Sequence, residues 1–163
     1  MIGTQAKRII VDTGSMADCG KLLESMKSLG MQPQNIDVVV NTHLHSDHCG
    51  CNEIFESAKI IAHELEEPPV GNLRISGGLT LDQNITIVPT PGHTRGSISV
   101  FVQSDRRTAI SGDALPTKAN FDTLSPPFIA YDKKLALVSM KAIIEWADVV
   151  IPGHDAQFET LRK

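Results

Sequence analysis

Ile36-Asp37-Val38-Val39-Val40-Asn41-Thr42-His43-Leu44-His45-Ser46-Asp47-His48 is the stretch on which the reading of the fold turns. The short apolar run bounded by polar residues reads as a buried strand. It delivers a dense group of imidazoles and a carboxylate at its carboxyl end, where open α/β architectures keep their ligand-bearing loops. His43 and His45 lie two residues apart and point alike if the segment stays extended, whereas Asp47 and His48 follow a turn and face a neighbouring position. One segment can therefore feed two metal ions.

Upstream, Arg8-Ile9-Ile10-Val11-Asp12 is a β-branched run ending at Thr13-Gly14. Ala17 to Leu29 then places Leu22, Leu23, Met26 and Leu29 on a helix face, with Gly30 as the stop. Downstream, residues 58–62, 73–75, 79–81, 85–88, 97–102 and 108–110 read as strands, and 64–71 as an acidic, Pro-containing connection. Residues 113–130, rich in Pro, Thr and Ser, read as a loop bordering the site. Tyr131 to Trp146 reads as a helix on which Tyr131 packs at the start, and residues 147–151 as a last strand before Pro152-Gly153-His154. The expectation is a layered α/β protein, a single domain over residues 1–163.

Five of the six histidines fall in short clusters, and each cluster sits where a strand ends. Gly stands beside the ligand in Gly92-His93, Gly112-Asp113 and Gly153-His154, so backbone can approach closely and side chains from different strands can converge. A borderline-soft cation wants neutral nitrogen donors, and a pair of cations also wants carboxylate oxygen. The candidate metal ligands are His43, His45, Asp47, His48, His93, Asp113 and His154. His63, followed by Glu64-Leu65-Glu66-Glu67, reads instead as a surface or hydrogen-bonded core residue.

A net charge of −4 carries no footprint of broad nucleic-acid binding. No segment approaches the roughly 20 apolar residues of a membrane span, and the polar-basic start Gly3-Thr4-Gln5-Ala6-Lys7-Arg8 lacks the form of a secretory signal. The expected compartment is the cytoplasm, with the nucleus as alternative. Three cysteines, an odd number, suggest reduced thiols, and Cys49 and Cys51 read as small buried hydrophobes.

These motifs strongly resemble those of the metallo-β-lactamase superfamily: Asp12 in Val11-Asp12-Thr13-Gly14, the HxHxDH cluster from His43 to His48, His93 in Pro91-Gly92-His93, Asp113 in Ser111-Gly112-Asp113, and His154 in Pro152-Gly153-His154. The resemblance covers nearly the whole chain and implies an αββα sandwich, N-terminally short, with the metals in a groove at one edge. It implies that His43, His45 and His93 hold one metal, that Asp47, His48 and His154 hold a second, and that Asp113 bridges them. Asp12 then orients ligands, and Asp47 orients or deprotonates the attacking water. The implied activity is hydrolysis of an ester, thioester or phosphodiester by a hydroxide shared between two zinc ions, with iron or manganese as substitutes. Asp113 separates the chain from the antibiotic-degrading branch, which places Cys or His there.

A closer resemblance is to the metallo-β-lactamase-domain-containing proteins of animals, the histone pre-mRNA endonuclease type. It rests on Gly30-Met31-Gln32-Pro33-Gln34-Asn35-Ile36, Thr42 to Gly50, Pro91-Gly92-His93, and Ala147 to His154 with Phe158 and Leu161-Arg162. It adds RNA to the small molecules as a substrate. Only eleven residues precede Asp12, which leads to the expectation of an uncovered sheet edge and a homodimer. Two alternatives remain at this level: a metal-binding scaffold with little catalysis, and a mononuclear iron sulfur dioxygenase.

Overall fold

In a computed structural model, which describes residues 2–3 and 7–160, two sheets pack face to face between helices. The first has the order β1 (Ile2–Gly3), β2 (Arg8–Val11), β3 (Val38–Val40), β4 (Lys59–His63), β5 (Leu73–Ile75), parallel from β2 to β5. The second has the order β11 (Phe158–Glu159), β10 (Val149–Pro152), β9 (Arg107–Gly112), β8 (Ile98–Gln103), β7 (Ile85–Pro89), β6 (Leu79–Asp82), antiparallel except for β9 with β10. The helices are α1 (Cys19–Ser28), α2 (Ser46–Cys49), α3 (Lys118–Thr123) and α4 (Lys133–Trp146).

Strand periodicity sorts the core into layers, because successive side chains point to opposite faces. Ile9, Val38, Val40 and Ile61 of the first sheet meet Ile85, Ile87, Ile98 and Val100 of the second. Their neighbours Ile10 and Val39 point the other way, into Met26, Ile36 and Phe55 beneath α1. On the far side Ala109 and Val150 lie under Met140 and Ile143 of α4. This is an αββα sandwich, as the motifs imply. All three valines of β3 are buried because both faces of that strand are covered.

Differences from the sequence reading have local causes. Residues 113–130 contain α3, a six-residue helix capped by Thr117, whose hydroxyl accepts from the Asn120 amide. Its Asn, Asp and Thr residues are weak helix formers, so propensity hides it. Residues 64–71 begin with a 3-10 turn, Glu64–Glu66, capped by buried His63. Tyr131 lies 67% exposed, because α4 starts two residues later with Asp132 as its cap.

Cys19 and Cys51 form a disulfide, leaving Cys49 as the free thiol, so the expectation of three thiols is overturned. The pairing is non-local: the chain after α2 returns to the head of α1, with Cα atoms 5.6 Å apart. The cysteine count therefore no longer argues for a reducing compartment. Among the described residues no helix is long and apolar enough to cross a membrane. Leu161-Arg162 and Thr4-Gln5-Ala6 lie outside the described residues.

Ile143 is fully buried between α4 and the second sheet. Ile143→Ala removes packing and leaves a cavity, with an expected cost of roughly 2–5 kcal/mol. Urea unfolding checks this as a lower midpoint at unchanged slope.

Candidate metal centre

The parallel strands β2 and β3 and the pair β9 and β10 end at one edge of the sandwich. Asp12 follows β2, His43 and His45 follow β3, Asp113 follows β9 and His154 follows β10, while His93 lies in the turn after β7. His48 and Asp47 come from α2. The seven residues gather into three overlapping groups, each with ligand atoms within 4.8 Å of one another: His43, His45 and His93; His43, His48 and Asp113; Asp47, His48 and His154.

Asp12 takes a left-handed backbone, φ 54°, a conformation Asp tolerates better than most residues. The turn aims its carboxylate back across β3. It accepts from the Thr42 amide at 2.7 Å, the Thr42 hydroxyl at 2.7 Å and His48 Nδ1 at 2.8 Å. The Thr42 hydroxyl, having donated its proton, accepts from His43 Nδ1 at 3.1 Å. His93 Nδ1 donates to the Ile129 carbonyl at 2.8 Å. In each ring Nδ1 faces its partner outward and Nε2 is presented toward the cluster.

The result is a surplus of acceptors. His43 Nε2 and His93 Nε2 each lie 3.0 Å from His45 Nδ1, which in a neutral ring has at most one proton to give. His48 Nε2 and Asp113 Oδ1 are buried without a hydrogen-bond partner, although 3.4 Å separates them. Among the described residues these are the buried side-chain atoms left unpartnered. His154 Nε2 stands 3.1 Å from Asp113 Oδ1 and 3.7 Å from Asp47 Oδ2.

Burial pushes His43 down to about 2, helped by the rings of His48 and His93. Burial also opposes charge on His48, but the Asp113 carboxylate 3.4 Å from Nε2 and the hydrogen bond to Asp12 outweigh it and lift that ring to about 10, so a cation taking Nε2 would displace its proton. Burial would raise Asp113, yet contact with His48 holds it well below the usual carboxylate range. Burial lowers His93. Converging nitrogen lone pairs with carboxylates between them fit divalent cations, which satisfy these acceptors together.

Glycines make the approach possible at two places. Gly112 has φ 49°, and a Cβ there would collide with the Thr42 side chain; a Cβ on Gly153 would fall on Asp113 Oδ1. Glu66 is the structural participant the sequence did not reveal. Its carboxylate accepts from Leu44 N at 3.0 Å and Gly96 N at 2.9 Å, tying the loop of His43 and His45 to the loop of His93. These partners lie 22 and 30 residues away in sequence, and no local pattern announces them. Cys49 donates weakly to the carbonyls of Leu44 and His45, and burial pushes its thiol up, so it acts as a packing residue. A cleft of about 490 Å³ opens beside Asp47, His48 and His154, with Ser15, Ile110 and Pro152 in its walls.

A sequence profile of the metallo-β-lactamase superfamily matches residues 1–74. A Methanocaldococcus jannaschii protein named probable metallo-hydrolase is 40% identical over 147 residues, covering 90% of this chain and 70% of that protein. The Mus musculus metallo-beta-lactamase domain-containing protein 1 is 33% identical over 167 residues, covering 95% of this chain and 62% of its own length. This chain thus spans less than two thirds of the mouse relative. Among solved structures, a quorum-quenching N-acyl homoserine lactone lactonase superposes with TM-score 0.76 at 25% identity, covering 93% of this chain and 76% of that one.

Asp12→Ala removes the acceptor that fixes His48 and, through Thr42, His43. Metal affinity should fall roughly 10–100-fold, measured by competition against a chromogenic chelator.

Proposed function

The chain belongs to the metallo-β-lactamase superfamily of hydrolases, and from that membership we propose that it cleaves an ester, thioester or phosphodiester using two divalent cations, zinc first among them. The observation that carries this reading is the pair of buried unpartnered atoms, His48 Nε2 and Asp113 Oδ1, lying between two groups of metal-type donors. In this reading His43, His45 and His93 hold one cation, Asp47, His48 and His154 hold the other, and Asp113 serves both. Bound there, the cations supply Lewis acidity toward the substrate oxygen and bring the deprotonation of water near neutral pH.

The chain's own groups orient and exclude. Asp12, Thr42 and the Ile129 carbonyl keep three imidazoles in the tautomer that presents Nε2. Asp47 is half exposed at the mouth, where its carboxylate can orient the attacking water and take its proton. Glu66 braces two ligand loops against each other. Lactones belong among the esters to be tried, since relatives of the chain are named N-acyl homoserine lactonases. RNA belongs among the phosphodiesters.

Element-resolved metal analysis of freshly purified protein, followed by a screen of ester, lactone, thioester and phosphodiester substrates, tests the reading. About two zincs per chain with turnover of at least one class is the expected result. One iron per chain with oxygen consumption would replace hydrolysis by oxidation, and two metals without any turnover would favour a scaffold.

A homodimer is part of the proposal. Among the described residues β1 is the outer strand of the first sheet, and an outer strand can pair with another chain. Sedimentation at micromolar concentration should give twice the chain mass; a monomer alone would refute the dimer.

A further inference from the structure

Resting on the hydrolase reading, we infer that the substrate carries a negative charge next to an apolar or aromatic group, and that Arg95, Phe128, Tyr131 and Lys133 select it. The segment from Phe128 to Lys133 is pinned to the turn that bears His93. The Ile129 carbonyl accepts from His93 Nδ1 at 2.8 Å, Tyr131 N donates to the His93 carbonyl at 2.9 Å, and Asp132 N donates to the Gly92 carbonyl at 3.0 Å. The Ile129 backbone is therefore one hydrogen bond and one imidazole ring away from the cluster.

Side chains on this segment face water. Phe128 is 90% exposed, Ile129 69% and Tyr131 67%. Isolated exposed apolar residues need no explanation, but three within four positions, fastened to a ligand's backbone, form a surface beside the place where a substrate reacts. Pro126 and Pro127 on one side and the Asp132 cap of α4 on the other restrict the backbone, so little order has to be imposed on binding.

Two cations complete the surface. Lys133 Nζ lies 5.4 Å from the centroid of the Phe128 ring, and Arg95 Cζ lies 5.7 Å from that of Tyr131. The ion pairs of Lys and Arg among the described residues engage Lys21, Arg106, Arg107 and Lys118, and neither Arg95 nor Lys133 has a carboxylate within bridging distance. On a chain with net charge −4, two unpaired cations over exposed aromatic rings make a local positive rim. Charge complementarity names the occupant: an anionic group held by the cations, its apolar neighbour lying on the rings. The charge can belong to a scissile phosphodiester or to a carboxylate beside a scissile ester.

The test compares 4-nitrophenyl hemiglutarate with its methyl-capped neutral counterpart, and adds bis(4-nitrophenyl) phosphate as the phosphodiester arm. Arg95→Ala and Lys133→Ala should each lower the charged-to-neutral ratio of kcat/KM about three- to five-fold, through KM, and the wild-type preference should shrink in high salt. Arg95→Lys should recover part of the ratio. An unchanged ratio in the double variant would overturn the inference, as would a change of oligomeric state in place of selectivity. If wild-type protein with two metals hydrolyses none of these compounds and no lactone or thioester of the wider screen, the hydrolase reading fails on its own. Calorimetric titration with phenyl phosphate then decides the rim: weaker binding by the double variant supports it, and equal binding rejects it.

Discussion

The Asp12 carboxylate is the constraint from which the site is built. It ties the ends of two neighbouring parallel strands through the Thr42 amide and hydroxyl, and it reaches His48 on the helix that follows. One acceptor thereby sets strand register at the edge, the Thr42 proton, and the tautomers of two imidazoles. Its left-handed backbone is a strained choice for a residue with a Cβ, retained because three donors converge on it. The rest of the cluster inherits its order: with His43 and His48 fixed, the remaining donors have a frame against which to close.

Much of this was legible in the residues. The buried run Val38-Val39-Val40 followed by HxHxDH gave both the strand and the place where it ends, and the αββα architecture implied by the motifs matches the layers observed. Gly112 and Gly153 read as sites of close approach, and each leaves no room for a Cβ. Spacing within one segment is local information, and a strand's end is a local event.

What the sequence kept hidden depends on distant partners. Glu66 looked like part of an acidic connection, because nothing near it announces amides that fold brings from Leu44 and Gly96. Cys19 and Cys51 are separated by 32 residues and become neighbours only when α1 docks under the first sheet. α3 lacks strong helix formers and is held by its Thr117 cap and by Phe121 packing on Phe158. Tyr131 reads as a core residue only while α4 is imagined to begin there.

The donors come from both sheets: His43, His45 and His48 follow the first, while His93, Asp113 and His154 follow strands of the second. Any cation that binds them bridges the two halves of the sandwich at its open edge. Folding and metal occupancy then become linked equilibria, since only the assembled chain presents the full set. The unfolding transition of this protein should accordingly depend on free metal concentration, as the melting of a complex depends on its ligand.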